Sequence, residues 1–300
     1  MFTTPAALIV TLVSARGLSQ ADLASASDAL RAAGGSISAE VALDPPCAYD
    51  LIVHGLTQPA ARAAVEAVAL NHDVIAQPAG PHRLKRLLVA DMDSTMIGQE
   101  CIDELADFAG LKVEIAAITE AAMRGELDFA EALDARVAAL SGLDASAIQR
   151  CLDERITLTP GAKTLISTMK AHGARTILIS GGFTAFTRII AEKIGFDAQF
   201  ANILNIADGK LTGTVEKPIV DSAVKRSTLI AERDALGLPA EATLAVGDGA
   251  TDIPMLEAAG IGIAYYAKPK ATAAANAMIS HGNLTVMLWA QGIPSALWKA

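Results

Sequence analysis

The chain has 300 residues, of which 52% are hydrophobic and 19% charged, and its formal net charge is −9. This composition indicates well-filled cores, and the length is enough for two domains. The negative charge argues against a general nucleic-acid binder, which needs a basic face to displace counterions from phosphates. The apolar runs stay short of the ~18 residues that a membrane span requires. We therefore expect neither nucleic acid nor a membrane as a partner.

The cysteines and the first apolar run indicate in which cellular compartment the protein is expected. Cys47, Cys101 and Cys151 are few, widely spaced and odd in number, which is typical of reduced thiols in a cytoplasmic protein. The run AALIVTLV at 6–13 has no basic residue ahead of it, since the first arginine is Arg16. A basic segment normally precedes the apolar part of a signal peptide, so we interpret this run as a strand.

The first 81 residues form a repeated pattern of strands and helices. Periodicity and glycine breaks predict strands at 7–14, 37–43, 49–55 and 73–77, and helices at 19–33 and 58–71. This βαββαβ order resembles a ferredoxin-like module of the ACT type. The resemblance implies an amino-acid sensor, but a dimerisation or packing domain without a ligand explains the pattern equally well. Residues 78–83, PAGPHR, are interpreted as the linker.

Residues 82–300 are predicted to form an α/β domain with a doubly wound parallel sheet. Continuous apolar runs at 86–91, 175–180, 242–248 and 260–265 indicate strands that are buried on both faces. The long segment between the first two strands predicts a helical cap at about 98–157, with helices at 99–109, 112–124, 128–140 and 144–154. Residues 200–216 are interpreted as a hairpin or meander around Asp208 and Gly209.

Polar residues follow the ends of these strands. Asp91 and Asp93 follow the first, Ser180 ends the second, and Asp248 ends the third, with Asp252 four residues later. Ligands of open α/β sheets bind beyond the carboxyl ends of the strands, so these groups are candidates for one site. Asp91 and Asp93 point to the same side if the strand continues, and their repulsion calls for a positive charge between them.

The motifs DMDST (91–95), SGG (180–182), Lys225 and GDGATD (247–252) resemble the four motifs of the haloacid dehalogenase superfamily. The resemblance extends over about 84–270, and the cap residues are most similar to the phosphoserine phosphatase branch. It implies a Mg²⁺-dependent enzyme that hydrolyses O-phosphoserine to serine and phosphate through an aspartyl-phosphate. That reaction is the last step of serine biosynthesis.

The resemblance also implies a role for each matching residue. Asp91 would be the nucleophile and Asp93 the general acid and base. Mg²⁺, which prefers oxygen ligands, would be held by the Asp91 and Asp248 carboxylates and the Asp93 carbonyl. Asp252 would orient Lys225 or the water bound to the metal. The substrate phosphate would be held by Ser180, the Gly181 N–H and Lys225, although Lys225 alone could equally be a solvated helix residue.

Substrate choice is assigned to the cap. The resemblance implies that Glu100 binds the substrate ammonium, that Arg136 binds its carboxylate, and that Met123 and Phe129 line the pocket. Alternatively, Glu100 is a favourable charge at a helix N-terminus and Arg136 a surface residue. Thr251 stands where the family commonly has Asn, which leaves the contact with phosphate or Lys225 open.

Two other functions compete with phosphoserine hydrolysis. One is a phosphatase for another small phosphate, such as phosphothreonine, and the other is a non-catalytic amino-acid sensor. The expected partners are a small phosphomonoester, an amino-acid effector of the N-terminal module and a second copy of the chain. The effector, the oligomeric state, the choice between L- and D-phosphoserine, and the role of the apolar tail at 283–298 stay open.

Overall fold

The computed structural model describes residues 7–69, 71–123 and 128–300, with backbone only for 120–123. Its first elements follow the predicted βαββαβ order, although the second helix ends before the predicted residue 71. The amides of Val68 and Ala69 turn back to the Val65 carbonyl and end it. The elements are β1 (Leu8–Val13), α1 (Gln20–Ala32), β2 (Ser36–Asp44), β3 (Ala48–His54), α2 (Gln58–Glu66) and β4 (Asp73–Pro78).

The remaining chain alternates strands with helices around a parallel sheet. Four helices, α3 to α6, lie within 98–157, which we call the insert. The elements are β5 (Leu87–Ala90), α3 (Cys101–Phe108), α4 (Lys112–Met123), α5 (Phe129–Ala139), α6 (Ser146–Glu154), α7 (Ala162–Ala171), β6 (Arg175–Phe183), α8 (Thr184–Ile194), β7 (Ala198–Asn202), β8 (Leu204–Ala207), β9 (Lys210–Val215), α9 (Ser222–Ala235), β10 (Thr243–Gly247), α10 (Ile253–Ala258), β11 (Ile261–Tyr265), α11 (Pro269–Ala274), β12 (Ala277–Ile279) and α12 (Val286–Ala290).

Local sequence explains where the insert helices begin. Asp128 starts α5 with a capping box, because its side chain accepts the Glu131 N–H while the Glu131 carboxylate accepts the Asp128 N–H. Ile97 and Leu158, at the two ends of the insert, form an antiparallel bridge. The Gly98 N–H also donates to the Thr157 carbonyl over 3.0 Å. The two segments that connect the insert to the core are therefore hydrogen-bonded to each other.

The strands of both halves share one ten-stranded sheet, in the order β2-β3-β1-β4-β12-β11-β10-β5-β6-β7. The four strands at one end of this order, β2, β3, β1 and β4, pair antiparallel with their neighbours. The six strands at the other end, from β12 to β7 in the sheet order, pair parallel. The α/β class is therefore confirmed, with a mixed sheet. The halves join where Met278 of β12 pairs with Val74 of β4. The sequence did not predict this join, because β12 has only three residues.

Buried polar groups secure the joint between the two halves. The Asp73 carboxylate accepts the N–H groups of Ser280, His281 and Gly282 over 2.7–3.1 Å. Arg83 forms an ion pair with buried Asp50 at 2.8 Å and donates to the carbonyls of α12. The apolar tail therefore packs against the first half of the same chain, which answers one question that the sequence left open.

The turn predicted at Asp208 and Gly209 is confirmed, because it connects the antiparallel strands β8 and β9, but the hairpin is shorter than the predicted 200–216. The first residues of that range belong to β7, which pairs with β6 at the edge of the large sheet, and only β8 and β9 form an antiparallel pair. This hairpin contacts the insert through an isolated antiparallel β-bridge between the backbones of Asp144 and Lys210. Within the described ranges, no helix is long and apolar enough to cross a membrane.

Candidate active site

Acidic residues that are far apart in sequence lie together at the carboxyl ends of neighbouring strands. β5 lies next to β10 in the sheet, so Asp91, after β5, lies close to Asp248, after β10. The Asp91 N–H donates to the Val246 carbonyl over 3.0 Å and extends the pairing beyond the strand. Carboxylate oxygens of Asp91, Asp248 and Asp252 all lie within 4.8 Å of one another, and all three residues are buried.

Lys225 is buried between two of these carboxylates. Asp221 caps α9 by accepting the Val224 N–H, and the helix brings Lys225 to the sheet edge one turn later. The Lys225 ammonium lies 2.7 Å from Asp91 Oδ1 and 2.7 Å from Asp252 Oδ1. Burial alone would lower the Lys225 pKa, but the two carboxylates raise it above its ordinary value. Lys225 is therefore charged, and it is not a solvated surface residue.

Asp252 fixes the loop that carries Asp248. Its second oxygen, Oδ2, accepts the N–H groups of Asp248 at 3.1 Å and Gly249 at 2.9 Å. A Cβ at position 247 would collide with the Asp252 side chain, so the close approach requires glycine there. Both oxygens of Asp252 are thus engaged within the protein, one by Lys225 and one by the loop.

Asp91 and Asp248 are suited to hold a hard divalent cation. Burial and the charge of Asp252 raise the pKa of Asp91, against the attraction of Lys225. Burial, followed by Asp252 and Glu100, raises the pKa of Asp248 to about 7. Raised pKa values show that the buried carboxylates lack compensating positive charge, and carboxylate oxygens are the preferred ligands of such cations. A bound divalent cation would supply the missing charge.

Asp93 faces the other side of the site, toward the end of β6. Its Oδ2 accepts the Ser180 hydroxyl at 2.8 Å, and its Oδ1 accepts the Cys101 N–H at 2.8 Å. Burial, with the charge of Glu100 as the next cause, raises the Asp93 pKa. A raised pKa suits a carboxyl group that must give and take a proton. Ser180 is fully buried, and its oxygen also accepts the Gly182 N–H at 2.8 Å.

The predicted substrate-binding residues of the insert surround this edge. Glu100 precedes α3 and accepts the Ser94 hydroxyl at 2.7 Å. Arg136, on α5, is half-buried and donates from Nε to the Ala132 carbonyl at 3.1 Å. Burial lowers its pKa, while the charges of Asp103, Glu100 and Asp93 oppose this.

The other residues predicted to line the pocket are Phe129, Thr251 and Met123. The Phe129 ring lies against Gly181, because a Cβ on that glycine would come within 3.0 Å of Phe129 Cζ. The insert therefore reaches the predicted phosphate-binding turn. Thr251 is half-buried, with its hydroxyl close to Gly249. Met123 ends α4, but its side chain lies outside the described residues.

Three residues that organise the site were not predicted from the sequence. Ser94 adopts a left-handed conformation with φ 52° and holds Glu100, and fully buried Thr95 lies 3.5 Å from Asp248 Oδ1. Both stand inside the DMDST motif, which could have drawn attention to them. Asn202, at the end of β7, is almost fully buried, but nothing in its local sequence distinguishes it from a turn residue.

Asn202 connects two loops of the site. Its amide donates to the Gly181 carbonyl at 2.8 Å, and its oxygen accepts the Val220 N–H at 2.7 Å. We expect Asn202→Ala to lower the free energy of unfolding by about 2–4 kcal/mol in urea titrations, because two buried backbone groups lose their partners. Asn205→Ala removes a surface bond to Thr214 and should change it by less than about 1 kcal/mol. Equal effects of the two would contradict this role.

Comparison with known proteins identifies the family. The model of the haloacid dehalogenase-like hydrolases matches residues 88–257, which include the acidic edge, the insert and Lys225. The chain belongs to this family. The match confirms the resemblance that the four motifs carry, and it covers more than half of the chain.

Relatives within the family are similar over most of this chain. A phosphoserine phosphatase of Streptomyces coelicolor is 46% identical over 252 residues, which are 83% of this chain and 61% of that protein. This chain therefore spans less than two thirds of that relative. A phosphoserine phosphatase of Albidiferax ferrireducens is 44% identical over 217 residues, covering 70% of this chain and 92% of that protein. A crystal structure of a HAD family hydrolase from Salmonella enterica serovar Typhi has a TM-score of 0.82 at 30% identity, covering 94% and 97% of the two chains.

Proposed function

We propose that this protein is a Mg²⁺-dependent phosphoserine phosphatase that completes serine biosynthesis. The observation that carries the proposal is that two aspartates of the site, Asp91 and Asp93, lie in different surroundings. Asp91 lies in the carboxylate cluster beside Lys225, whereas Asp93 lies against Ser180 and the first turn of α3. The 44–46% identical relatives are named phosphoserine phosphatases, which supports the same substrate.

In the first step, a carboxylate oxygen of Asp91 attacks the phosphorus of the substrate, and the bond between phosphorus and the serine oxygen breaks. Asp93, whose pKa is raised by burial and by the charge of Glu100, gives a proton to the leaving serine oxygen. The products of the step are serine and an aspartyl-phosphate at Asp91. Ser180 and Lys225 hold the oxygens on which negative charge accumulates.

In the second step, Asp93 takes a proton from a water molecule that attacks the phosphorus. The bond between phosphorus and the Asp91 oxygen breaks, which releases phosphate and restores both carboxyl groups. Asp93 thus acts first as an acid and then as a base. Its hydrogen bonds to Ser180 and to the Cys101 N–H hold the carboxyl group in one orientation for both transfers.

Mg²⁺ is the cation proposed at Asp91 and Asp248, with the Asp93 carbonyl as a further ligand, since it takes one or two carboxylates and completes its shell with water and phosphate. When bound, the ion supplies positive charge against the phosphate and keeps the carboxylates ionised. Asp252 stays outside the ligand set, because Lys225 and two backbone N–H groups already occupy its oxygens. We expect a chelator to abolish turnover and added Mg²⁺ to restore it.

Substrate selection is proposed for Glu100 and Arg136 of the insert, which acts as a cap over the site. A guanidinium suits a carboxylate and a carboxylate suits an ammonium, so the pair selects a zwitterion such as phosphoserine. Both side chains are close enough to Asp93 for their charges to act on one another. Met123, Phe129 and Thr251 are proposed to complete the pocket.

We expect Arg136→Ala to raise KM for phosphoserine about 10- to 100-fold, because a charge-assisted hydrogen bond is worth about 1.5–3 kcal/mol. KM for para-nitrophenyl phosphate, which has no carboxylate to bind, should change less than about threefold. Steady-state kinetics with both substrates measure the difference. Arg150→Ala, in the same insert but stacked over Phe108 at 4.7 Å, should leave both values unchanged. Equal losses for the two substrates would contradict the assignment of Arg136.

The experiment that tests the function is phosphate release from a panel of phosphomonoesters, with Mg²⁺ and with a chelator. The panel contains L- and D-phosphoserine, phosphothreonine and a sugar phosphate, so that it also compares the enantiomers. We expect the highest kcat/KM for a phosphoserine. A higher value for phosphothreonine or the sugar phosphate would replace the proposed substrate, and no hydrolysis of any member would contradict phosphatase activity.

For residues 1–81, we propose an ACT-like module that binds an amino-acid effector or a second copy of the chain. The support is the strand order β2-β3-β1-β4, with α1 and α2 connecting its strands. Serine added to the panel assay tests for an effector, and sedimentation tests for a dimer. The predicted cytoplasmic location has the three unpaired cysteines as its support.

A further inference from the structure

The hairpin of β8 and β9 is joined to the insert through backbone groups. The Gly142 N–H donates to the Leu211 carbonyl over 2.8 Å, and the Leu211 N–H donates to the Leu143 carbonyl over 2.9 Å. The Ala145 N–H also donates to the Gly209 carbonyl over 2.8 Å. Because these bonds run in both directions between the hairpin and the loop after α5, the two segments have a fixed register.

Apolar side chains fill the contact between the hairpin and α5. Leu211 and Val215 of β9 are buried in the same core cluster as three aliphatic residues of the insert, which are Leu133, Val137 and Leu140. Removal of these side chains from water favours the contact. The hairpin and α5 therefore form one packed unit.

Gly213 lets β9 approach the end of α5 closely. The register of β8 and β9 shifts along the part of β9 that contains Gly213, and its φ of 83° is left-handed, as in many glycines of β-bulges. A Cβ on Gly213 would lie 2.8 Å from Ser141 Cβ and 3.3 Å from Ala138 Cα. Conformation and space therefore both require glycine at this position.

The helix that the hairpin contacts carries the proposed carboxylate-binding residue. Phe129, the first residue of α5, lies against Gly181 of the phosphate-binding turn, and Ala138, near its last residue, lies against Gly213. Arg136 lies between these two contacts. A helix that is held near both ends cannot tilt freely, so the hairpin fixes where Arg136 stands relative to Gly181.

The base of the hairpin is anchored beside the same turn. Asn202, two residues before β8, donates to the Gly181 carbonyl and accepts the Val220 N–H. The Glu216 N–H, directly after β9, donates to the Ile203 carbonyl over 2.9 Å and closes the base. The base of the hairpin thus holds the phosphate-binding turn, while β9 holds the end of α5.

We propose that Gly213 is a positioning residue of the active site, which sets the distance between α5 and the phosphate-binding turn through the hairpin. The inference rests on the proposed phosphatase function and adds a residue to it. Gly213 acts through Arg136. A side chain at 213 pushes the end of α5 away from the hairpin and displaces the Arg136 guanidinium from the substrate carboxylate. The groups of the core that hold phosphate keep their places, so the loss falls on recognition of the amino-acid part.

The test compares Gly213→Ala with Gly142→Ala. Gly142 also has a φ of 83°, but a Cβ there would meet none of the described atoms within 4 Å. Both substitutions therefore place alanine at the same backbone angle, and only the first inserts a methyl group into the contact. We expect Gly213→Ala to raise KM for phosphoserine about fivefold or more, and KM for para-nitrophenyl phosphate less than about twofold. Gly142→Ala should leave both values within about twofold of wild type.

Removal of the opposing side chain provides a rescue. Ser141→Gly takes away the Cβ that the new methyl group would meet. The double variant Gly213→Ala, Ser141→Gly should therefore have a KM for phosphoserine within about twofold of that of Ser141→Gly alone. A general loss of stability would not be rescued by a second glycine. An unchanged KM in Gly213→Ala, equal losses for the two substrates, an equal effect of Gly142→Ala, or absence of rescue would each overturn the inference.

Hydrogen exchange gives a measurement that does not depend on turnover. The amides of Gly142, Ala145 and Leu211 donate across the contact, so peptides that contain them should exchange slowly in wild type and at least about tenfold faster in Gly213→Ala. Exchange at the wild-type rate in Gly213→Ala would overturn the inference. Failure of wild type to hydrolyse any phosphomonoester would contradict the proposed function alone, because the exchange result would be unaffected.

Discussion

Asp91→Asn is expected to lower kcat for phosphoserine at least about 10⁴-fold, because the neutral amide cannot act as the nucleophile. Phosphate release from the purified variant measures the loss. The variant should also form no acid-stable phosphoenzyme. Asp28→Asn, in an exposed ion pair on α1, is the matched control and should keep full activity. Turnover of Asp91→Asn within tenfold of wild type would contradict the assignment of Asp91.

The same substitution should not unfold the protein, and this separates lost chemistry from lost structure. Lys225 contacts two carboxylates, so it keeps Asp252 as its partner when Asp91 becomes neutral. The pKa of Asp91 is already raised by burial and by Asp252, which shows that its charge is costly to the fold. We therefore expect Asp91→Asn to have a thermal midpoint equal to or above that of wild type in a chelator.

Lys225→Met is expected to have the largest effect on stability. The substitution leaves two buried carboxylates without their common partner, and breaking a buried ion pair on one side costs about 3–5 kcal/mol. Urea titration in a chelator at pH 7 measures the difference. Lys112→Met is the control, because Lys112 has 72% of its side-chain surface exposed and lies 3.6 Å from Asp107. That exposed pair should contribute less than about 1 kcal/mol.

The destabilisation by Lys225→Met should depend on pH. Lys225 lowers the pKa of Asp91, which burial and the charge of Asp252 already raise above its ordinary value, so loss of the ammonium raises the Asp91 pKa in the folded protein further. The folded variant then binds more protons than the unfolded chain, so its stability falls as pH rises through this range. We expect the difference from wild type to be smaller at pH 5 than at pH 7.5. A difference that is independent of pH, or close to that of Lys112→Met, would contradict the buried triad.

Much of the site could be predicted because it follows from strand order and residue type. Asp91 and Asp248 each follow an apolar run, and parallel strands bring their carboxyl ends to one edge. This rule is enough to bring Asp91 and Asp248 together without knowledge of the loops. Residue type alone does not place Lys225 in the site, because a helix lysine is usually solvated, and only the fold shows that it is buried between Asp91 and Asp252.

The parts that could not be predicted depend on contacts between distant segments. β12 is too short to give a periodic signal, yet its pairing with β4 joins the two halves of the sheet. Asn202 stands in an ordinary local sequence, and it becomes relevant through the backbone groups that it meets at Gly181 and Val220. Its neighbours are set by tertiary packing, which no local pattern encodes.

The most direct test of the central claim is to identify the residue that carries phosphate during turnover. Wild-type protein is mixed with phosphoserine and Mg²⁺, quenched in acid within milliseconds and reduced with borohydride, which converts an aspartyl-phosphate to homoserine. Peptide mass spectrometry then locates the change. We expect homoserine at position 91, with Asp93, Asp248 and Asp252 unchanged. Homoserine at another of these positions, or none at 91 while phosphoserine is being hydrolysed, would contradict the central claim.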